Sequence, residues 1–356
     1  MKPAEARPPA RAMVWAPNWM GDAVMALPAL QAWTRQSPEL QPHWLARPAV
    51  AAVLQAANLP GEIIALPARA SERWPRELMR QCRQARAELA ILLPNSFASA
   101  LAAWRLGIPQ RIGYGRDGRG LWLTRRVRRP RPGQYPEHEA YGYWALLAGA
   151  GLLPAPPEKL CPELRLDAAA RGRGRARLAA GATGFAVVAH AGAAYGAAKR
   201  WPPEYFALLF RQLSLAGCGI TLVGTSAERE LADFILARSG ASGSNLAGQT
   251  TPAELLEVIA AADLVVANDS GPMHAAAALG RPVVALFGST NERQTHPLGP
   301  PGYAQCHVLV AADISCRPCK LRQCPLDHRC MRRLRPEDVA QVIMPILNRH
   351  AAKARE

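Results

Sequence analysis

Three short segments place charged or polar side chains beside glycine, at points where a strand should give way to a helix. The first reads APNWMGDA at 16–23 and contains Asp22. At the carboxyl end of a strand in an open α/β sheet, this carboxylate would face the ligand crevice and could accept a proton from a substrate hydroxyl. It could equally cap the following helix, with Gly21 permitting the turn. The residues alone leave both interpretations of Asp22 open.

The second segment reads NDSGPMHAAAALG at 268–280. Asp269 or Ser270 can cap the next helix, and Pro272 suits its first turn. The free N–H groups and the positive dipole end of that helix would form an anion site for a diphosphate. A plain capped helix explains Asp269 and Ser270 equally well. His274 lies one turn further and favours a functional interpretation of the whole segment.

The third segment reads GAAYGAAKRWP at 192–202. Lys199 and Arg200 could neutralise the charge that builds up on a departing nucleoside diphosphate, while Trp201 and Pro202 fix the loop before the next helix. A solvated basic loop is the alternative. Two adjacent cations near a helix N-terminus favour phosphate binding.

These segments require strands that alternate with helices. Short β-rich runs followed by helical patterns recur in both halves of the chain, which predicts βαβ units and parallel sheets. The proline-rich stretch 152–166 has no helical period and predicts an extended connection. We therefore expect Rossmann-like domains at 12–158 and 159–332, followed by a C-terminal helix at 333–350. Neither half contains the G-x-G-x-x-G turn or the P-loop motif, which argues against a dehydrogenase and a P-loop kinase.

Composition and charge limit the classes of function. The 356 residues carry a net charge of +16, which predicts an anionic partner. No apolar run is long enough for a membrane helix, and 1–11 lacks the apolar core of a signal peptide, so we expect a cytoplasmic protein. Nine arginines lie between Arg105 and Arg131. They favour an anionic glycolipid surface over simple solvation or nucleic acid, because no nucleic-acid-binding motif accompanies them.

Four cysteines near the C-terminus have the spacing C-x₂-C-x₄-C-x₅-C. They are Cys316, Cys319, Cys324 and Cys330. Four thiolates at such spacing can hold a structural zinc ion, and a redox-sensitive pair or reduced thiols are equally open.

Five segments follow, in order and at similar spacing, the pattern of the lipopolysaccharide heptosyltransferases of glycosyltransferase family 9. They are WMGD at 19–22, LPNSF at 93–97, GIPQRIGY at 107–114, YGAAKRWP at 195–202 and NDSGPMH at 268–274. The resemblance extends from Met13 to about Leu347. Five ordered matches are more specific than any one of them.

The resemblance implies an inverting enzyme of the GT-B fold, with two Rossmann-like domains whose parallel sheets face across a cleft. It implies ADP-L-glycero-D-manno-heptose as donor and the first heptose of the Kdo-lipid A inner core as acceptor, at the cytoplasmic face of the inner membrane, with no metal needed for catalysis and no nucleic acid as partner. By motif match Asp22 is the general base. Donor binding is assigned to Lys199, Arg200, Asn268, Asp269, Ser270, Gly271 and His274, and acceptor binding to Asn18, Asn95, Ser96 and Arg111.

One position departs from the family pattern. Where the family commonly has P-G-A-E-Y-G, this chain has AGAAYG at 191–196, so Ala194 replaces a glutamate of the donor loop. Another nucleotide-sugar transferase of the same fold therefore remains an alternative. A basic nucleic-acid-binding protein with a zinc-stabilised tail is the alternative from a different class.

Overall fold

The computed structural model describes residues 11–67 and 74–353, with side chains up to residue 349. It divides the chain into two compact units, Met1–Pro162 and Glu163–Glu356. The segment 1–11, in which we expect no signal peptide, lies outside the described residues except for Arg11. No helix among the described residues is long and apolar enough to span a membrane.

The first unit is a parallel six-stranded sheet with helices between its strands. The strand order is β3-β2-β1-β4-β5-β6. The strands are β1 (Arg11–Trp15), β2 (Gln41–Ala46), β3 (Glu62–Ala65), β4 (Leu89–Leu92), β5 (Gln110–Tyr114) and β6 (Arg125–Val127). The helices are α1 (Met20–Gln36), α2 (Pro48–Ala56), α3 (Arg76–Gln84), α4 (Phe97–Arg105) and α5 (Glu139–Gly149).

The second unit repeats this topology. Its order is β12-β11-β10-β7-β8-β9, again all parallel. The helices are α6 (Ala168–Ala176), α7 (Pro203–Leu215), α8 (Arg229–Ser239), α9 (Pro252–Ala261), α10 (Gly271–Ala278), α11 (Glu292–Thr295), α12 (Arg329–Arg332) and α13 (Pro336–Lys353). The strands are β7 (Ala186–His190), β8 (Gly219–Leu222), β9 (Gly243–Asn245), β10 (Leu264–Asn268), β11 (Val283–Phe287) and β12 (Cys306–Val310).

Each sheet reverses its winding between two central strands, which are β1 and β4 in the first unit and β7 and β10 in the second. Ligands of open α/β sheets bind outside the carboxyl ends of the strands at such a switch point. Asp22 lies on the first turn of α1, directly after the loop that leaves β1. The loop that leaves β10 carries Asp269, and the loop that leaves β7 carries Lys199. The topology thus brings the chemically suggestive segments to the switch points.

The central strands consist of apolar runs because helices cover both faces of a parallel sheet. All residues of β4, β7, β10 and β11 are buried. Helix α13 supplies Val339, Ile343, Ile346 and Leu347 to the core of the second unit. The expected alternation of strands and helices is present in both units. Helix α5 was not among the elements recognised from sequence, because Gly142 and several aromatic residues obscure its helical period.

Arg119 is fully buried in the first unit, on the short 3₁₀ turn Arg119–Trp122. Its Nε donates to the Tyr114 carbonyl at 2.7 Å, Nη2 donates to Asn95 Oδ1 at 3.1 Å, and Nη1 donates to the Pro94 carbonyl. A buried guanidinium is tolerated only when its donors are used in this way. Arg119 thus ties the loop after β4 to the end of β5, and it is not available to an anionic partner.

We predict that Arg119→Met lowers the free energy of unfolding by roughly 2–4 kcal/mol, because two buried carbonyls and an amide oxygen lose their donor. Urea denaturation measures this change. The exposed neighbour Arg116 provides the control, since Arg116→Met should shift stability by no more than about 0.5 kcal/mol. Equal stability of the two variants would contradict the structural role of Arg119.

Candidate active site

Asn268 ends β10 and fixes the loop that follows β7. Its fully buried amide donates from Nδ2 to the Ala191 carbonyl at 2.8 Å and to the Gly192 carbonyl at 3.2 Å. Its Oδ1 accepts from the Trp201 backbone N–H at 3.1 Å. The loop 191–201 is therefore held at both ends by one side chain. Asn268 was predicted to bind the donor. In the structure its side-chain nitrogen and oxygen both bond to the loop 191–201, so it supports that loop.

Lys199 and Asp269 form a nearly buried ion pair at the switch point of the second unit. The distance from Lys199 Nζ to Asp269 Oδ2 is 2.6 Å, and the side chains are 13% and 4% exposed. Thr290 Oγ1 donates to the same carboxylate oxygen at 2.6 Å. Lys199 also lies over the Tyr195 ring, 4.9 Å from its centroid. The ammonium is thus positioned beside the start of α10.

The N-terminus of α10 differs from the sequence expectation in one respect. Ser270 occupies the N-cap position, but its side chain does not bond to the first turn. Its hydroxyl donates to the Asn268 carbonyl at 2.9 Å and lies 3.0 Å from His190 Nδ1. Capping by Ser270 or Asp269 was therefore wrong, because both side chains are engaged elsewhere. The first-turn N–H groups are left for an anion.

The remaining predicted donor residues lie on or beside the same helix and loop. Gly271 is the first residue of α10, and His274 is buried one turn further. Arg200 follows Lys199, and its side chain is exposed. Ala194, the position that departs from the family pattern, is exposed in the same loop. The structure thus groups the predicted donor residues around one helix N-terminus.

A buried histidine and glutamate beside this group were missed by the sequence interpretation. His190 Nε2 lies 3.5 Å from Glu228 Oε2, and the two side chains are 8% and 11% exposed. The same oxygen accepts from the backbone N–H and the hydroxyl of Thr225, at 2.8 and 3.0 Å. A chain of contacts therefore runs from Glu228 through His190 to Ser270. The capping-box spacing of Thr225 and Glu228 was the one signal in the sequence.

Burial alone would raise the pKa of Glu228. The hydrogen bond and charge of His190, together with the hydrogen bonds from Thr225, outweigh burial and lower the pKa to about 2. Glu228 also packs against Gly192, where a Cβ atom would lie only 1.7 Å from Glu228 Oε1. Gly192 is thus required for the close approach of the donor loop to the carboxylate.

The segment 316–330, which contains the four cysteines, also contacts the loop 191–201. Tyr195 donates its hydroxyl to the Lys320 carbonyl at 2.8 Å, and the Ala198 N–H donates to the Arg322 carbonyl at 3.0 Å. Arg317, which is nearly buried, donates from Nε to the Gly288 carbonyl at 2.6 Å and forms an ion pair with Glu292 at 2.8 Å. This segment therefore connects the loop that carries Lys199 to the loop after β11.

The four cysteines of this segment are free thiols, and only Cys330 is buried among Cys316, Cys319, Cys324 and Cys330. Burial raises the pKa of the Cys330 thiol, and the nearby Cys324 and Cys316 add to that effect. In the part of the chain that the structure describes, no group of three or more His, Cys, Asp or Glu side chains has a metal-binding arrangement. A structural zinc or a redox pair stays a prediction.

In the first unit, Asp22 lies on the first turn of α1, three residues after the N-cap Trp19. Asp22 is therefore not the N-cap residue, although its charge favours the helix N-terminus. Tyr143 on α5 is its neighbour. Burial raises the pKa of Tyr143 well above its ordinary value, and the negative charges of Asp22 and Glu139 add to the shift. Tyr143 was not recognised from the sequence.

The predicted acceptor residues fall into two groups. Asn18 follows β1, whereas Asn95 and Ser96 follow β4, so these three lie at the switch point. Ser96 caps α4 by accepting from the Ser99 N–H at 3.3 Å. Arg111 lies near the amino end of β5, away from that edge of the sheet.

The side chain of Arg111 is occupied in holding the 3₁₀ turn. Its Nε donates to the Trp122 carbonyl at 2.6 Å, and its Nη1 donates to the Ile108 carbonyl. The structure thus does not bring Arg111 together with Asn18, Asn95 and Ser96. The motif match located the residue in sequence but could not show which end of the strand it occupies.

The family is decided by comparison with known proteins. The model of glycosyltransferase family 9 (heptosyltransferase) matches residues 75–329. The chain belongs to this family. Lipopolysaccharide heptosyltransferase 2 of Escherichia coli K12 is 32% identical over 304 residues, which cover 80% of this chain and 85% of that protein. Lipooligosaccharide heptosyltransferase 2 of Haemophilus ducreyi is 32% identical over 314 residues, with the same coverage.

Solved structures agree with this assignment. The structure of E. coli ADP-heptose LPS heptosyltransferase II superposes with a TM-score of 0.76 at 27% identity and covers 97% of this chain and 100% of that chain. The GT-B fold class predicted from the sequence is confirmed by this match. This family 9 chain is a glycosyltransferase, and the interpretation as a nucleic-acid-binding protein is not supported.

For this family 9 enzyme we predict that Glu228→Gln makes the free energy of unfolding less dependent on pH below about pH 4.5. A carboxylate whose pKa falls from 4.5 to about 2 on folding stabilises the protein above about pH 4.5. That contribution, roughly 2–3 kcal/mol, is lost as the pH falls from 4.5 towards 2. Chemical denaturation at a series of pH values measures it.

The matched control is Glu230→Gln, which changes an exposed carboxyl two residues away. The wild type and the control should lose stability in parallel below pH 4.5, whereas Glu228→Gln should start lower and change less. Parallel curves for all three proteins would refute the assigned role of Glu228.

Proposed function

We propose that this enzyme transfers L-glycero-D-manno-heptose from ADP-heptose to the first heptose of the Kdo-lipid A inner core. The observation that carries the proposal is the 32% identity, over 80% of the chain, to a lipopolysaccharide heptosyltransferase 2. The site adds a nearly buried lysine beside an uncapped helix N-terminus, which suits a nucleoside diphosphate.

The proposed reaction is a single displacement with inversion. The acceptor hydroxyl oxygen attacks the anomeric carbon from the side opposite ADP, Asp22 takes the hydroxyl proton, and the bond from the anomeric carbon to the phosphate oxygen breaks. Lys199 and the N–H groups of α10 stabilise the negative charge on the departing ADP. Because these groups supply positive charge where the negative charge of ADP develops, we propose that catalysis needs no metal ion.

Lys199 already has an anionic partner in the structure. Its ammonium pairs with Asp269, which is itself held by Thr290. A diphosphate that approaches α10 would share the ammonium with this carboxylate, so that Asp269 orients Lys199 before the donor arrives. Among the described residues, the buried hydroxyl of Ser289 has no hydrogen-bond partner and is a further candidate for donor contact.

We further propose that the enzyme works at the cytoplasmic face of the inner membrane. Most arginines between Arg105 and Arg131 are exposed. Each exposed cation near an anionic lipid surface contributes about 1 kcal/mol to membrane binding. The phosphates and carboxylates of Kdo-lipid A would be attracted by the same charges.

Incubation of the purified protein with ADP-heptose and a heptose-bearing Kdo-lipid A acceptor tests the reaction. We expect the acceptor to gain the mass of one heptose with release of one equivalent of ADP. Tight binding of ADP without any mass gain would reject the proposed pair of donor and acceptor. The search would then turn to other ADP-sugars, to which the replacement of a glutamate by Ala194 points, or to other acceptors.

Asp22→Asn separates catalysis from folding. We expect turnover to fall by about 10²–10⁴-fold with little change in ADP affinity, because the amide cannot accept the proton.

Lys199→Ala should instead weaken ADP binding by about tenfold or more, since a charge-assisted contact is lost. Lys159→Ala, in the exposed linker, is the control for both. Turnover and calorimetric ADP titration measure the effects, and full activity of folded Asp22→Asn would exclude the general base.

A further inference from the structure

An exposed apolar ridge lies on the first unit, formed by Phe97, Trp104, Leu121 and Trp122. Phe97 and Trp104 stand seven residues apart on α4 and are 46% and 48% exposed, while Leu121 is 82% exposed. Large apolar side chains exposed together on a folded unit usually mark an interaction surface. This aromatic ridge has no part in the proposed chemistry of Asp22.

The aromatic ridge is held in place by a built support. The Trp122 ring packs edge-on against Phe97, with 6.2 Å between ring centroids, and in a tilted arrangement against Trp104, with 4.6 Å between centroids. Its carbonyl accepts from Arg111 Nε at 2.6 Å, and the buried Arg119 starts the same turn. Leu121 therefore stands on a turn that is fixed from both ends, and it cannot simply retract from water.

The charge around the aromatic ridge has one sign. The segment 105–131 contains nine arginines and a single acidic residue, Asp117. The exposed ones are Arg105, Arg116, Arg125, Arg126, Arg128, Arg129 and Arg131. An apolar ridge with aromatic rings and a cationic surround is the composition of a surface that lies in a membrane interface.

We propose that the aromatic ridge inserts shallowly into the interfacial layer of an anionic lipid bilayer, with Leu121 as its deepest side chain. This proposal rests on the proposed function, since it identifies the surface by which the enzyme reaches its acceptor. A second copy of the chain is the weaker occupant, because self-association through this face would bring two sets of arginines together. The arginines attract the bilayer from a distance, and the ridge supplies apolar contact.

Cosedimentation with lipid vesicles tests the proposal without donor or acceptor present. The vesicles contain phosphatidylethanolamine and phosphatidylglycerol, with neutral phosphatidylcholine vesicles for comparison. Leu121→Gln keeps the charge and should weaken binding to the anionic vesicles by about tenfold, because one leucine side chain is no longer transferred from water. Trp104→Gln should have a similar effect. The matched control is Leu215→Gln on α7, where the leucine is 83% exposed, and it should bind within about twofold of wild type.

Two results would overturn the inference. Equal binding of Leu121→Gln and Leu215→Gln would show that charge alone holds the protein on the vesicle. A concentration-dependent dimer that disappears in Leu121→Gln would assign the ridge to a second copy. The variants should retain transfer to a lipid-free heptose acceptor. If neither the wild type nor any variant transfers heptose, but vesicle binding is as expected, the proposed function is rejected and the docking surface stands.

Discussion

The donor site depends on the three hydrogen bonds of Asn268. This buried amide joins the end of β10 to both ends of the loop after β7, and it thereby sets the distance from Lys199 to the first turn of α10. Because the amide is entirely removed from water, its donor and acceptor atoms need protein partners, and these three hydrogen bonds supply them. Two further contacts depend on these hydrogen bonds, the Lys199–Asp269 ion pair and the contact between Ser270 and His190. In each of them, one residue belongs to β7 or the loop after it, and the other follows β10.

The fold and the position of the sites followed from the sequence because their signals are local. Apolar runs at strand length, glycine turns and the proline-rich connection predict alternating strands and helices in two units. Open parallel sheets bind ligands outside the carboxyl ends of their strands, which placed Asp22, Asp269 and Lys199 at the carboxyl ends of central strands. The family pattern supplied what spacing could not, which is the proposed donor and acceptor.

Residues whose roles arise only from long-range packing were not predictable. His190 ends an ordinary buried strand, and its neighbour Glu228 lies on the far side of α7 and β8 in sequence, so nothing local connects them. Arg119 and Arg111 belonged to a run of arginines that composition assigned to an anionic surface. The structure shows that both serve the interior of the first unit, because carbonyl groups at loop ends require donors.

The Asn268 contacts also determine when, during synthesis, a donor site can exist. The residues that Asn268 joins lie 67 to 77 positions before it in the chain. The loop with Lys199 therefore leaves the ribosome well before its anchor, and for that interval it has neither the amide nor the Asp269 carboxylate as partner. A nucleotide can stabilise only a species that binds it. A donor nucleotide held by Lys199 and the first turn of α10 would therefore stabilise the completed unit and not the emerging loop.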